Sequence, residues 1–137
     1  MEFVVEDEPD PSDIELLEDE IRVVASAISG LGDERELAVF VREDGRIRAG
    51  ITGWTWGDAC EMQSLWVAPD LRGQGLGTRL LALAADEART RGCTQIVCFT
   101  YDFQGPELYE RLGFEVLARV ENFPSGNTAF WMRLPLS

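Results

Sequence analysis

The middle of the chain has three runs that predict strands: residues 37–42 are apolar up to Arg42, and residues 47–56 and 60–67 alternate in part between apolar and polar side chains. Alternation of this kind is typical of β-strands that bury one face. The turn at residues 43–46 contains an Asp-Gly pair, which favours a tight hairpin, and the turn at residues 57–58 is also short. The pattern therefore predicts three consecutive antiparallel strands.

Two other segments repeat their apolar residues at the 3.6-residue period of an α-helix. The first follows Ser12, which forms a capping-box pattern with Glu15, and Gly30 predicts its end. The second covers residues 75–91, where leucine and alanine recur every four residues before Gly92. Both helices are predicted to be amphipathic, so each can cover one face of a sheet.

The remaining predicted elements are strands at residues 2–6, 95–100, 114–121 and 128–134 and a short helix at residues 106–112. One helix joins the strand at 60–67 to the strand at 95–100, so this pair is expected to be parallel with a right-handed crossover. The predicted fold class is therefore α/β. Its sheet is mixed and mostly antiparallel, with six or seven strands, a central parallel pair and flanking helices. A length of 137 residues predicts a single domain over residues 1–137.

Composition narrows the classes of function. The formal net charge of −13 opposes non-specific binding to nucleic acid. No apolar run approaches the ~20 residues that span a bilayer, and the acidic N-terminus lacks the pattern of a targeting peptide. We therefore expect a cytoplasmic protein that does not bind membranes. Three separated cysteines and the absence of histidine predict reduced core thiols and no metal site.

The segment with the clearest chemistry runs from Arg72 to Thr78, between a predicted strand and a predicted helix, and has glycines at positions 73, 75 and 77. A helix that begins there has free N–H groups in its first turn, and such groups bind anions, for example a pyrophosphate. Glycines let a phosphate approach the backbone and permit positive φ. The G-x-G-x-x-G spacing of dinucleotide-binding loops is absent, and a chain without lysine has no Walker loop.

Two motifs resemble the signatures of the GNAT N-acetyltransferase superfamily. The spacing Arg72-x-x-Gly75-x-Gly77 is similar to its acetyl-CoA signature, and residues 108–114, Leu-Tyr-Glu-Arg-Leu-Gly-Phe, are similar to its second signature. The resemblance covers residues 37–134. It implies acetyl-CoA as co-substrate and direct transfer of the acetyl group to a primary amine of a small molecule or of a protein or peptide. It also implies a homodimer through the terminal strands.

The resemblance further implies roles for particular residues. The strand end formed by Leu65, Trp66 and Val67 would contact the cofactor through backbone groups that polarise the thioester carbonyl and pair with pantetheine. Tyr109 would be the general acid that protonates the leaving thiolate, and Glu61 would be the base that deprotonates the amine. The loop that would bind the phosphates comprises Arg72, Gly73, Gln74, Gly75, Leu76, Gly77 and Thr78.

Several assignments stay open. Asp102 stands where many relatives have an asparagine that contacts pantetheine. It is therefore a candidate for that contact, for binding a cationic amine, or for the general base, and water is a further candidate for the base. Gly105 and Asn127 are further departures, from an alanine and a histidine that similar bacterial proteins carry. Cys98 as a covalent acyl carrier is disfavoured, because an apolar strand raises the pKa of a thiol.

A second functional hypothesis is a non-catalytic acetyl-CoA sensor or regulatory module, which the departures at positions 102 and 127 keep open. Six aromatic residues are interpreted mostly as core or dimer contacts, with an acceptor pocket as the alternative, because aromatic faces attract ammonium ions. They are Trp54, Trp56, Trp66, Phe103, Phe123 and Trp131.

Overall fold

The structure is a computed structural model that describes residues 1–136, and its architecture is mixed α/β with a six-stranded sheet. The helices are α1 (Pro11–Ser29), α2 (Leu76–Thr90) and α3 (Pro106–Arg111), with short 3-10 helices at Pro69–Leu71 and Asp102–Gln104. The strands are β1 (Arg35–Glu43), β2 (Arg46–Trp56), β3 (Ala59–Val67), β4 (Gln95–Tyr101), β5 (Glu115–Glu121) and β6 (Thr128–Pro135). The chain divides into two compact units, Met1–Gly32 and the part from Asp33 onward.

The first unit contains a single helix, and two details of its prediction are wrong. Asp10, not Ser12, caps α1, because its carboxylate accepts the N–H of Ser12 at 2.9 Å. Pro11 occupies the first helical position, where its lack of an N–H leaves no donor without an acceptor. Residues 2–6 form no strand, because a strand without a paired neighbour leaves its backbone groups without partners. Gly30 ends the helix at φ 75°, which confirms the predicted cap.

The sheet has the strand order β1-β2-β3-β4-β6-β5, and every neighbouring pair is antiparallel except β3 and β4. The three antiparallel strands before the glycine loop and the central parallel pair are therefore confirmed. The strand number is six because residues 2–6 contribute none. The last hairpin lies at the sheet edge with β5 outermost, while β6 pairs on its other side with β4.

The core lies between α2 and one face of the sheet. The buried side of α2 consists of Leu80, Leu81, Ala84, Ala85 and Ala88. It contacts β1, β2 and β3, whose inward-facing residues include Leu37, Ile51 and Met62. Each fully buried leucine or isoleucine contributes about 1.5–3 kcal/mol relative to exposure. This packing fixes the start of α2 against the end of β3.

The three cysteines, Cys60, Cys93 and Cys98, are all free and buried, which confirms their prediction as core thiols. No helix within residues 1–136 is long and apolar enough to cross a membrane.

Candidate active site

The sheet opens at its centre, between β3 and β4. These parallel strands pair only from Ala59 opposite Gln95 to Met62 opposite Cys98, although both strands continue beyond that point. Past Met62, the facing edges of the two strands have no partner strand within residues 1–136. An extended ligand can therefore enter this gap and form hydrogen bonds with free backbone groups.

A β-bulge in β3 accounts for the gap. Thr52 pairs with Ser64 but Gly53 pairs with Met62, so Gln63 is an extra residue on β3. A Cβ at Gly53 would lie 2.0 Å from the carbonyl oxygen of Glu61, so the close backbone approach at the bulge requires glycine. Bulges bend a strand and increase its twist, and the pairing with β4 ends beside this one.

The backbone N–H groups of Leu65 and Val67 point towards the gap. Ala68 donates its N–H to the carbonyl of Arg48 at 2.8 Å. In an antiparallel pair, successive residues alternate between bonding to the partner strand and pointing away from it. Counting back from Ala68, positions 65 and 67 point away from β2. The carbonyl of Val67 agrees with this direction, because it accepts a hydrogen bond from Nε of Arg72 at 2.9 Å rather than from β2.

The three glycines of the loop serve two different purposes. Gly73 and Gly75 have φ values of +78° and +81°, and a Cβ at either would meet no atom within 4 Å. Their backbone conformation, rather than lack of space, therefore requires glycine. Gly77 has ordinary φ, but a Cβ there would lie 3.2 Å from Cδ2 of Leu108. The third glycine therefore permits close packing between α2 and α3.

The start of α2 has free hydrogen-bond donors. Gly75 is the N-cap and provides no capping side chain. The first helical bond runs from the N–H of Arg79 to the carbonyl of Gly75 at 3.1 Å. The N–H groups at positions 76–78 precede that bond and have no acceptor within residues 1–136. Together with the dipole of this 15-residue helix, they attract anions.

A cleft of about 380 Å³ connects the glycine loop to α3. Its lining comprises Val67, Leu71, Arg72, Gly73, Gly75, Leu76, Gly77, Thr78, Gln104, Gly105, Glu107, Leu108 and Arg111. The two motifs singled out in the sequence thus face each other across one cavity. A volume of this size is ordinary for a small-molecule or cofactor site.

Sequence reasoning missed Arg111 and Gln104 as lining residues. Leu108 and Arg111 are three residues apart on α3, so they share a helix face, and this spacing was a signal that Arg111 would follow Leu108 into the cleft. The guanidinium groups of Arg72 and Arg111 provide two positive charges against the single carboxylate of Glu107. Together with the α2 N–H groups, this charge balance suits phosphates.

Tyr109 lies on α3, is 8% exposed, and packs edge-on against Phe114 with ring centroids 5.4 Å apart. Burial raises the pKa of Tyr109 to about 12, and the neighbouring Cys98 thiol adds to this increase. Cys98 belongs to the last pair of residues before β3 and β4 separate. The phenol is therefore protonated at neutral pH and lies close to the start of the gap.

Glu61 lies on the sheet face opposite the core. It stands between the buried residues Cys60 and Met62 and pairs with Trp54 on one side and Val97 on the other. Burial raises the pKa of Glu61, and a hydrogen bond from the Trp54 side chain partly offsets this increase. A raised pKa makes a carboxylate a stronger base. The side chain emerges just before the gap begins.

Four predicted cofactor residues do not line the cleft: Leu65, Trp66, Gln74 and Asp102. A carboxylate oxygen of Asp102 accepts the N–H of Thr128 at 2.9 Å, so this residue ties the end of β4 to the start of β6. The alternation that directs Leu65 into the gap directs the N–H of Trp66 towards β2, and its side chain is 49% exposed. The cofactor roles of these four residues stay predictions.

Cys98 has the properties of a core residue. Its side chain belongs to the buried cluster, and burial raises the pKa of its thiol to about 12, with the Glu61 carboxylate adding to this effect. At neutral pH it is a thiol rather than a nucleophilic thiolate. Within residues 1–136, no group of three or more Cys, Asp or Glu side chains could hold a metal ion.

Comparison with known proteins agrees with this geometry. A model of the acetyltransferase (GNAT) family matches residues 2–114. The chain is 32% identical over 133 residues to Acetyltransferase Atu2258 of Agrobacterium fabrum, over 96% of this chain and 97% of that protein. It is 37% identical over 91 residues to Blasticidin-S acetyltransferase of Streptomyces morookaense, over 64% of this chain and 65% of that protein.

The fold is also similar to a crystal structure from Agrobacterium tumefaciens of a protein described as an acetyltransferase. The TM-score is 0.90 at 31% identity, over 98% of this chain and 99% of that chain. These matches place the chain among acetyltransferases. The chain belongs to the GNAT acetyltransferase family, as its two motifs predicted.

Proposed function

We propose that this protein is an acetyl-CoA-dependent N-acetyltransferase that acetylates a primary amine of a small molecule or peptide. The observation that carries the proposal is that a helix start with free N–H groups and the free strand edge at Val67 border one cleft, while a protonated tyrosine lies beside Cys98, where the sheet opens. Acetyl-CoA has chemical groups that match each of them: phosphates, a pantetheine amide chain and a thioester.

The cofactor would lie along the cleft with its phosphates on the first turn of α2. The N–H groups at positions 76–78 and the guanidinium groups of Arg72 and Arg111 would bind the phosphates. Pantetheine would pair with the free edge of β3 at Val67. The thioester would then reach the gap, with its carbonyl oxygen accepting the N–H of Leu65.

The reaction needs two proton transfers. The amine nitrogen uses its lone pair to form the new C–N bond at the thioester carbon, the C–S bond breaks, and the electron pair leaves on sulfur. Glu61 takes the amine proton, directly or through water, and releases it to solvent. Tyr109 donates its proton to the thiolate and recovers one from solvent, so the products are the amide and free CoA.

The local environment favours proton donation by Tyr109. Burial raises the pKa values of Tyr109 and of the neighbouring Cys98 thiol, both to about 12. A thiolate that forms in the same desolvated region becomes more basic for the same reason. Donor and acceptor are thereby brought close in pKa, which is the condition for efficient general acid catalysis.

The proposal is tested with purified protein by calorimetry and by an assay of thiol release. We expect CoA and acetyl-CoA to bind, and acetyl-CoA to release free thiol with at least one member of a panel of polyamines, aminoglycosides, amino acids and peptide N-termini. Failure to bind CoA would overturn the proposed cofactor. Binding without thiol release from any amine would instead favour a sensor of acetyl-CoA.

Replacement of Glu61 by glutamine is expected to lower kcat by about a hundredfold, the lower end of the range for loss of a general base. A base acts when deprotonated, so its contribution is present above its pKa and is lost as pH falls through that value. Because burial raises the pKa of Glu61 above 4.5, the acid limb of the wild-type rate profile is expected above pH 4.5.

The measurement is kcat of the variant and of the wild type across pH. Protonation of the free amine affects both profiles equally, so it cancels in their ratio. Glu61→Gln is expected to remove the acid limb, whereas the control Glu43→Gln, at an exposed carboxylate on β1, is expected to keep it. If Glu61→Gln retains wild-type kcat and the same acid limb, the base is Asp102 or water.

A further inference from the structure

Five aromatic side chains form a connected surface, which we call the aromatic platform: Phe99, Tyr101, Phe103, Phe123 and Trp131. The rings of Tyr101 and Phe103 are stacked, with centroids 5.1 Å apart and planes 12° apart. Tyr101 and Phe123 are also parallel, at 6.4 Å and 5°. Phe99 joins these rings to Trp131, whose centroid is 4.8 Å away.

Three of these rings are exposed rather than part of the core, so of the interpretations from sequence the dimer contact and the acceptor pocket stay open. Phe103 is 63% exposed, Phe123 is 49% exposed and Trp131 is 38% exposed. Local pattern could not reveal this, because exposure depends on which face of the sheet the helices cover. Large aromatic surfaces that stay in contact with water are uncommon and mark binding sites.

The exposed rings are held by hydrogen bonds on either side. Phe103 lies between Asp102, which accepts the N–H of Thr128, and Gln104, whose Oε1 accepts the N–H of Tyr101 at 3.3 Å. Phe123 is held at the β5–β6 turn by donating its N–H to the carbonyl of Asn127 at 3.0 Å. Such a platform is preorganised, so a ligand loses little free energy in ordering it.

Strand register brings the platform level with the proposed site of acetyl transfer. Met62 lies opposite Cys98, and the extra residue Gln63 shortens the advance along β3, so Leu65 lies about level with Thr100, the residue before Tyr101, across the gap. Cys98 and Thr100 face the core, so Tyr101 projects from the opposite face of the sheet. Glu61 projects from that same face, as described above.

We propose that the platform binds a flat aromatic or heteroaromatic group carried by the acceptor amine. The inference rests on the proposed function and defines its acceptor class as primary amines that bear such a ring. Parallel exposed rings favour a planar ligand, because stacking requires two flat faces. The same rings attract the ammonium group, and the net charge of −13 favours cationic acceptors in general.

The test compares 2-phenylethylamine with 2-cyclohexylethylamine, which differ in whether the ring is flat or puckered. We expect kcat/KM to be at least tenfold higher for the phenyl compound, although the cyclohexyl ring is the more hydrophobic. Phe103→Leu and Phe123→Leu are expected to remove this preference while keeping an apolar side chain. Phe40→Leu is the matched control, since Phe40 is exposed on β1, and it is expected to keep the preference.

Ligand-observed NMR with CoA present measures binding of the same two amines without turnover. Preferential binding of the phenyl compound that is lost in Phe103→Leu supports the platform, even if no amine is acetylated, which would count against the proposed function alone. If both amines are acetylated equally and neither Phe103→Leu nor Phe123→Leu changes this, the proposal of a binding platform is wrong, whereas the proposed acetyltransferase activity is supported. Absence of detectable binding of the phenyl compound also overturns it.

Discussion

Replacement of Tyr109 by phenylalanine is expected to lower kcat by about 10²- to 10⁴-fold, the range for removal of a general acid, while the Kd for CoA stays within about twofold. The variant keeps the ring that packs against Phe114. It removes a hydroxyl that accepts or donates no hydrogen bond within residues 1–136. The expected loss is therefore confined to the step in which the thiolate leaves.

Phe114→Leu is the control for packing. It disturbs the same ring contact but keeps the Tyr109 hydroxyl, so it is expected to lower the melting temperature more than Tyr109→Phe does and to lower kcat far less. Single-turnover rates, calorimetry with CoA and thermal unfolding measure the three quantities. Wild-type kcat in Tyr109→Phe would assign proton donation to another group, and an equal loss of kcat in both variants would indicate a structural role.

Replacement of Gly75 by alanine is expected to weaken CoA binding by about ten- to a hundredfold. Gly75 has φ +81°, so alanine there is strained by about 1–3 kcal/mol. Gly75 lines the cleft at the start of α2, where the phosphates are proposed to approach the backbone, so an added Cβ enlarges the surface that they must approach. Both effects disturb the N–H groups at positions 76–78 that would bind the anion.

Gly92→Ala provides the matched control because it reproduces the strain without the cleft. Gly92 follows the other end of α2, has φ +84°, and has no atom within 4 Å of an added Cβ. Both variants are expected to lose similar stability in thermal unfolding, but only Gly75→Ala is expected to weaken CoA binding measured by calorimetry. Equal CoA affinities in the two variants would show that the glycine loop is not part of the cofactor site.

Much of the fold could be predicted because its determinants are local. The three short apolar or partly alternating runs and the turn at residues 43–46 predict β1, β2 and β3 to within a few residues, because such runs between turns are local signals of strands. The failures involve interactions beyond the local pattern. Residues 2–6 have strand-forming side chains but no partner, and the cap of α1 was decided by which side chain, Asp10 or Ser12, reached the free N–H.

The features of the candidate site likewise fall into those that depend on local sequence and those that depend on long-range contacts. The sequence alone determined the glycine loop and the free N–H groups of α2, because positive φ and an uncapped helix start are properties of consecutive residues. Only the tertiary structure decided the gap beside Met62, the position of Arg111 in the cleft, and the exposure of Phe103 and Phe123. These features depend on strand pairing and on which sheet face the helices cover, and such long-range contacts join residues that lie far apart along the chain.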